Sequence, residues 1–451
     1  MSKFEEDLIA KYDKPVPRYT SYPTVPDWNL EAFEKEEYLE GLSKSFAVNN
    51  DEGLSLYIHL PYCESLCTYC GCNTHISVNH QVEYPYIQAL LKEWRMYLKL
   101  FKQRPKLKEI HLGGGTPTFF SADNLRYLIE EIKTSVELLP GYEFSFEGHP
   151  NNTTYEHLKV LKEVGFSRVS FGIQDFDIKV QKAINRVQPF DQVEKVTHWA
   201  RALGYHSINF DLIYGLPFQK ESSIKDTIEK VNTLRPDRIA FYSYAHVPWK
   251  RPGQRAYDEA DLPDPSLKRK LNVIGQNLLR DNGYLPIGMD HFALPEDNLV
   301  KAFEEGRLHR NFMGYTTSNG QLLIGLGVSS ISDTSYGYAQ NAKSVKGYLM
   351  HIERGELPIV KGHTMSDNDR KIKRELLAVA CEQKIQTKEA LKLYSEQRER
   401  LEDLVSDGLL EKTADGFEVT LTGTQFLRNI CALFDPNFGK QKGSKVFSQS
   451  V

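Results

Sequence analysis

The chain has 451 residues, of which 40% are hydrophobic and 26% charged, an ordinary globular make-up with length for a large α/β barrel and additions. Lysine and arginine total 56 against 60 aspartates and glutamates, and the net charge of -4 gives no electrostatic case for nucleic acid as a partner. Collagen-like, low-complexity and disulfide-scaffold classes are excluded, and no stretch approaches the ~20 apolar residues that cross a bilayer.

Residues 1–50 open on charged sequence, Met1-Ser2-Lys3-Phe4-Glu5-Glu6-Asp7, without the apolar core of a secretory signal. A cytoplasmic, reducing setting is expected for the six cysteines, with no membrane partner. Pro15-Val16-Pro17-Arg18-Tyr19-Thr20-Ser21-Tyr22-Pro23-Thr24 is too proline-rich for a helix and predicts a strap laid against the body of the protein. Period-2 patterns then predict strands at 54–60, 109–112, 142–147, 168–173, 207–213 and 238–244. Helical patterns cover 124–138, 155–164, 190–203 and 222–234. Strands alternating with helices imply parallel βαβ units, here an α/β fold built as a partial (β/α)6 TIM-like barrel, with a doubly wound sheet as the rival. Residues 51–365 are assigned to this barrel and its extension, which holds glycine turns such as Gly325-Leu326-Gly327. From 366 to 451, charged helices precede Gly408-Leu409-Leu410-Glu411 and Gly416-Phe417-Glu418-Val419. This order predicts a small, mostly helical, winged-helix-like domain packed on the barrel, with a flexible tail from Gly439.

Four cysteines fall within Cys63-Glu64-Ser65-Leu66-Cys67-Thr68-Tyr69-Cys70-Gly71-Cys72, directly after the first predicted strand. Structural zinc draws cysteine pairs from separated turns, whereas Cys381 and Cys431 stand alone here. Three thiolates on one short loop suit an iron–sulfur cubane with one iron left open to a non-protein ligand. Gly113-Gly114-Gly115-Thr116-Pro117 follows the second strand, where missing side chains let backbone approach a ligand. Glu147, Gln174, Asp211 and the segment near Ala245 sit at later strand ends, the face on which (β/α) barrels assemble their sites. Singly, Glu147 reads as a helix cap, Gln174 as a turn residue and Asp211 as the partner of a base. Together, in register with the cysteine loop and the glycine run, they point to a site.

The CxxxCxxC loop resembles that of the radical S-adenosylmethionine enzymes. By that resemblance Cys63, Cys67 and Cys70 would hold one 4Fe-4S cluster, Tyr69 would lie beside the cofactor, and the glycine run would meet its amino group. A narrower resemblance is to the oxygen-independent coproporphyrinogen III oxidases. It rests on Pro17-Arg18-Tyr19-Thr20-Ser21-Tyr22-Pro23, Cys70-Gly71-Cys72-Asn73 and Asn209-Phe210-Asp211-Leu212-Ile213-Tyr214-Gly215-Leu216-Pro217. Gly288-Met289-Asp290-His291-Phe292-Ala293, His309-Arg310-Asn311-Phe312, Gly314-Tyr315-Thr316-Thr317 and Arg428-Asn429-Ile430-Cys431 extend it over nearly the whole chain. Glu147-Gly148-His149-Pro150 departs from the family's usual Glu-Val-Asp-Pro, and no role is carried onto His149.

The resemblance implies oxidative decarboxylation of two propionates of coproporphyrinogen III to vinyl groups, begun by hydrogen abstraction by a 5′-deoxyadenosyl radical. It also implies two molecules of S-adenosylmethionine. Tyr57, Gly114, Glu147 and Ile331 would hold the first, and Tyr69, Gly115, Thr116, Gln174, Arg186, Asp211 and Ala245 the second. Cys72 is expected near substrate or cofactor, Arg18 and Arg310 are expected to meet propionates, and His59 is expected to be packed or hydrogen-bonded. A reducing electron donor is a further implied partner, a monomer is expected, and the carboxy-terminal domain suits a lid. The alternatives are a haem-trafficking relative on the same scaffold, or another tetrapyrrole-modifying radical enzyme. Trafficking relatives typically carry phenylalanine where Cys72 stands and lack the amino-terminal strap motif.

Overall fold

A computed structural model describes residues 3–317, 320–390 and 395–438; the tail predicted from Gly439 lies outside the described residues. Six strands, β1 (Leu54–Leu60), β2 (Lys106–Gly114), β3 (Glu137–Gly148), β4 (Phe166–Gln174), β5 (Ser207–Tyr214) and β6 (Arg238–Ser243), each pair in parallel with the next in sequence. The order never reverses, which separates a barrel from a doubly wound sheet with its switch point. Helices Ala122–Thr134, Tyr155–Glu163, Phe190–Ala202 and Glu221–Leu234 run between these strands as the periodicity predicts. The first ends earlier than its pattern suggested, because Glu137 and Leu138 pair with Lys106 and Leu107 and begin β3.

Strand alternation divides the barrel into two surfaces. Leu56, Ile58, Ile110, Leu112, Phe144, Phe146, Phe171 and Phe210 are completely buried on the helix side. The opposite parity carries Tyr57, His111, Ser145, Glu147, Ser170, Asn209, Asp211 and Tyr242, which line the interior. The apolar face supplies the core, and the polar face makes the barrel mouth chemically active.

The sheet does not close after β6. There β7 (Leu285–Gly288) and β8 (His291–Ala293) add antiparallel strands. Beyond β1 come β9 (Leu323–Leu326), parallel to it, then the antiparallel β10 (Ile331–Asp333), β11 (Gly337–Asn341) and β12 (Ile359–Thr364). The twelve-stranded order is β12-β11-β10-β9-β1-β2-β3-β4-β5-β6-β8-β7. A seventh parallel strand, β9, therefore flanks the predicted six.

Carboxy-terminal helices Asp367–Glu382 and Ser395–Ser406 pack with a three-stranded sheet, β13 (Lys384–Gln386), β14 (Leu410–Lys412) and β15 (Gly416–Val419), ordered β13-β15-β14. A second hydrophobic core joins this unit to the strap through Val16, Tyr19, Tyr315, Leu376, Leu427 and Ile430. Arg428 donates to the Val16 and Pro17 carbonyls, and the Tyr19 hydroxyl to Asp435, so polar contacts fasten the strap as well. Among the described residues no helix is long and apolar enough to cross a membrane.

Candidate active site

The cysteine loop leaves the end of β1 and is pinned at its base. Tyr62 and Cys63 pair with His75 and Ile76, Gly115 N–H donates to the Leu60 carbonyl at 2.9 Å, and Thr116 N–H to that of Tyr62 at 3.0 Å. Cys70 N–H donates to the Cys67 carbonyl at 3.1 Å, winding the loop so that its thiols face one cavity. Cys63 Sγ lies 3.2 Å from Thr116 Oγ1, Cys72 N–H points at Cys70 Sγ from 3.4 Å, and Arg186 Nη1 lies 3.5 Å from Cys67 Sγ. Hydrogen-bond donors beside sulfur are what a cluster's ligands take in their surroundings.

All six cysteines are free thiols, and no three ligating side chains converge on a single ion position among the described residues. A cubane asks for thiols spread over separate corners, and three cysteines on one pinned loop fit it. Donation from the Cys72 thiol brings Cys70 down to about 6, whereas burial pushes Cys63 up to about 11. Iron binding would therefore release protons from this loop.

The glycine run presses backbone into the site. Gly114 has φ of +118° and donates its N–H to Glu147 Oε2 at 3.2 Å, and a Cβ on Gly115 would stand 2.4 Å from the Pro61 carbonyl oxygen. Glu147 caps no helix. Its other oxygen faces His111 Nε2 at 3.4 Å, and His111 Nδ1 meets Ser145 Oγ at 2.8 Å. Tyr57 stacks on His111 and donates its hydroxyl hydrogen to His59 Nδ1 at 3.0 Å, while His59 Nε2 donates to the Asn73 carbonyl at 2.8 Å. Burial lowers the His59 pKa, and both ring nitrogens are engaged, in keeping with a hydrogen-bonded structural histidine.

Arg186 lies in the loop between helices Ile178–Ala183 and Phe190–Ala202, and among the described residues it forms no ion pair with a carboxylate. Its Nε and Nη2 donate to the Gly172 carbonyl at 3.2 and 2.7 Å, leaving Nη1 toward Cys67. Gln174, buried with φ of +70°, closes β4 beside it. Asp211 takes hydrogen bonds from Asn209 at 2.9 Å and Ser170 at 3.2 Å rather than from a base, and burial pushes it up to about 6. His149 joins the same wall, and burial followed by the Arg186 charge brings it down to about 3.

Three cavities meet at this loop. One of about 300 Å³ is lined by Cys63, Cys67, Cys70, Gly115, Thr116, Gln174, Arg186 and Asp211. A second, of about 530 Å³, brings together Tyr57, Gly114, Glu147 and Ile331, the last carried in by β10. The third, of about 820 Å³, holds Arg18 and Ala245. Cys72, Gly114, Glu147 and Tyr242 belong to both the first and the second, and Tyr69, Gly71 and Ile213 to both the first and the third. Ala245 is thus apart from most of its expected set, although it shares a cavity with Tyr69.

Arg18 reaches the largest cavity from the strap, ion-paired to Asp290 and 5.4 Å above the Tyr242 ring. Arg310 is placed differently from the expectation. It is 4% exposed and lines none of these three cavities; it lies 4.6 Å over the Tyr315 ring and donates to the Arg18 carbonyl at 3.3 Å. Its surroundings make it a support for the strap. Tyr242 and His111 escaped the sequence reading, which stopped at strand ends; inward parity along β2 and β6 was the signal for both.

The Radical SAM superfamily model matches residues 57–231. The chain is 36% identical to the oxygen-independent coproporphyrinogen III oxidase of Synechocystis, over 100% of this chain and 98% of that protein. It is 37% identical to the Pseudomonas aeruginosa enzyme of the same name, over 98% and 99% respectively. The solved structure of coproporphyrinogen III oxidase from Escherichia coli, described as a radical SAM enzyme, superposes with a TM-score of 0.86 at 34% identity, covering 94% of this chain and 100% of that one. Likeness on this scale runs through strap, barrel and carboxy-terminal unit alike, and the chain belongs to the oxygen-independent coproporphyrinogen III oxidase family of radical S-adenosylmethionine enzymes.

Proposed function

We infer that the protein oxidatively decarboxylates two propionates of coproporphyrinogen III to vinyl groups without oxygen, giving protoporphyrinogen IX. The observation that carries this is a three-thiol loop at the mouth of a polar-lined barrel, opening on contiguous cavities, in a chain matched end to end by this family. When bound, a 4Fe-4S cluster and S-adenosylmethionine supply the one-electron chemistry that takes a hydrogen from an unactivated propionate side chain.

The chain's own groups bind, orient and screen. Cys63, Cys67 and Cys70 would hold the cluster by three irons. The two smaller cavities support a two-site reading of the cofactor: Tyr57, Gly114, Glu147 and Ile331 for one molecule, and Tyr69, Gly115, Thr116, Gln174, Arg186 and Asp211 for another, with Ala245 at its border. Glu147 is aimed by Gly114 N–H and His111, which suits it to an ammonium or ribose hydroxyl, and Arg186 suits a carboxylate. Cys72, at the junction of two cavities, stands beside cofactor or substrate. Arg18 presents a guanidinium to the substrate cavity, with Arg310 acting through it. The proposal also takes in an external electron donor, a monomeric chain, and a division at 1–50, 51–365 and 366–451 in which the last unit and the strap close over the substrate.

The test is anaerobic turnover after iron and sulfide reconstitution, following porphyrinogens and 5′-deoxyadenosine together. Protoporphyrinogen IX with about two deoxyadenosines per product is expected. Serine at Cys63, Cys67 or Cys70 should abolish iron uptake, and Cys72→Ser should retain it. Deoxyadenosine without decarboxylation would move the reading to another tetrapyrrole, and neither product alongside tight haem binding would favour a carrier.

A further inference from the structure

The largest cavity at the cysteine loop has a charge pattern that composition does not explain. Arg18, Lys250, Arg251, Lys268 and Arg428 all line it, and no aspartate or glutamate does. Acids outnumber bases in the chain, 60 to 56, so an acid-free basic wall is a local arrangement.

The five cations are not equivalent. Arg18 is answered by Asp290, and Arg428 is turned toward the Val16 and Pro17 carbonyls, so both already have partners. Lys268 comes from helix Pro265–Asp281, half-buried, and its Nζ donates to the Tyr244 carbonyl at 2.7 Å. Among the described residues no carboxylate lies within ion-pair distance of it. Burial brings it down to about 8; the Asp13 carboxylate opposes that shift, and Arg18 and Arg428 press the same way as burial. A half-buried ammonium answered by a neutral carbonyl is short of a counter-charge. Arg251 stands at the other end of the wall, donating to the Gly71 carbonyl and to that of Cys72 at 3.3 Å. The wall is therefore fastened to the loop that carries the thiols.

We propose that this wall is the carboxylate-binding face of the tetrapyrrole site, with Lys268 anchoring one propionate beside Tyr244 and Arg251 meeting a second beside Cys72. The inference rests on the functional reading above and adds the residues that recognise the substrate's acidic groups. Bridging Tyr244 and Cys72 in this way lays the macrocycle along the border that the cavity shares with the cysteine loop through Tyr69 and Gly71.

Equilibrium binding to the reconstituted holoenzyme tests it, using the fluorescence of two probes, coproporphyrin III with four carboxylates and mesoporphyrin IX with two. Wild-type protein should prefer coproporphyrin III by about tenfold or more, since mesoporphyrin IX lacks two of the carboxylates that make charged hydrogen bonds. Lys268→Met should lose about tenfold for coproporphyrin III with iron content and S-adenosylmethionine affinity intact, and Lys268→Arg should recover most of it. Unchanged coproporphyrin binding in Lys268→Met, or loss of its iron, would overturn the assignment. The wild-type comparison needs no variant to fold: equal affinity for the two probes sinks the cationic wall even if coproporphyrinogen III is converted. A clear preference without conversion would instead overturn the functional reading and leave the wall standing.

Discussion

Arg186 Nη1 lies 3.5 Å from Cys67 Sγ across 119 residues of sequence. Backbone fixes the guanidinium, because Nε and Nη2 both donate to the Gly172 carbonyl. A Cβ on Gly172 would fall 2.9 Å from Nη2, so glycine is what admits this close approach. The result is a permanent positive charge beside a thiol of the cluster loop. Such a charge favours the reduced, more negative state of a bound cluster over the oxidised one. Arg186→Gln should therefore keep its iron while the midpoint potential becomes more negative, by roughly 60 mV if about 1.4 kcal/mol of attraction is lost. An electron-paramagnetic-resonance-monitored titration measures this, and an unshifted potential with iron retained would show that the guanidinium is not felt.

Gly115 faces backbone rather than a movable side chain. An added Cβ would meet the Pro61 carbonyl oxygen at 2.4 Å and its carbon at 2.6 Å, and hydrogen bonds from Gly115 to Leu60 and from Thr116 to Tyr62 hold the two segments together. Gly115→Ala should lower unfolding stability by about 1–3 kcal/mol and weaken S-adenosylmethionine binding. A Cβ on Gly71 would meet nothing within 4 Å, so Gly71→Ala should stay within about 0.5 kcal/mol of wild type. Urea unfolding of the two variants side by side separates overlap from a general intolerance of the loop.

The parts of the site that were legible in sequence are the local ones. Cys63, Cys67 and Cys70 announce themselves by spacing, and strand alternation puts Glu147 and Asp211 on the inner face of the barrel. The basic wall was not legible, because Arg18, Arg251 and Lys268 come from a strap, a loop and a helix that only the tertiary fold brings together. Arg310 was legible as part of a motif but not in its placement, since its burial depends on Tyr315 and the carboxy-terminal unit. The four residues of β9 were too few for a period-2 signal, although the strand sets the position of β10 and thus of Ile331.

Arg310 links the carboxy-terminal unit to the strap. It lies over Tyr315, whose hydroxyl donates to the Ala380 carbonyl at 2.9 Å, and its Nη2 holds the Arg18 carbonyl. Its Nε and Nη1 have no partner among the described residues, so the buried cation is incompletely satisfied. Replacing such a group with an apolar one of similar size is often neutral or stabilising. Arg310→Met should leave unfolding stability within about 1 kcal/mol of wild type or above it. The same variant should raise KM for the tetrapyrrole several-fold through a loosened Arg18, with iron content unchanged. A KM equal to wild type would show that Arg18 is held in place without it.

Glu93 should contribute a pH dependence of stability far from the chemistry. Helix Glu83–Leu98 buries its carboxylate completely, and Gly327 N–H at 2.8 Å, Tyr348 O–H at 2.6 Å and Asn341 Nδ2 at 2.7 Å all donate to it. Burial outweighs these donors and pushes the group from 4.5 up to about 7. Between those values the folded chain binds more protons than the unfolded one, so stability falls as pH rises from about 4.5 to about 7, with the loss complete above that. The span corresponds to a loss on the order of 3 kcal/mol. Glu93→Gln cannot titrate and should remove most of that slope. Its amide N–H₂ would face donors, and the variant should start about 1–3 kcal/mol less stable at pH 5. Urea unfolding of both proteins from pH 5 to pH 8 decides the matter: converging curves place the titration at Glu93, and parallel curves place it elsewhere.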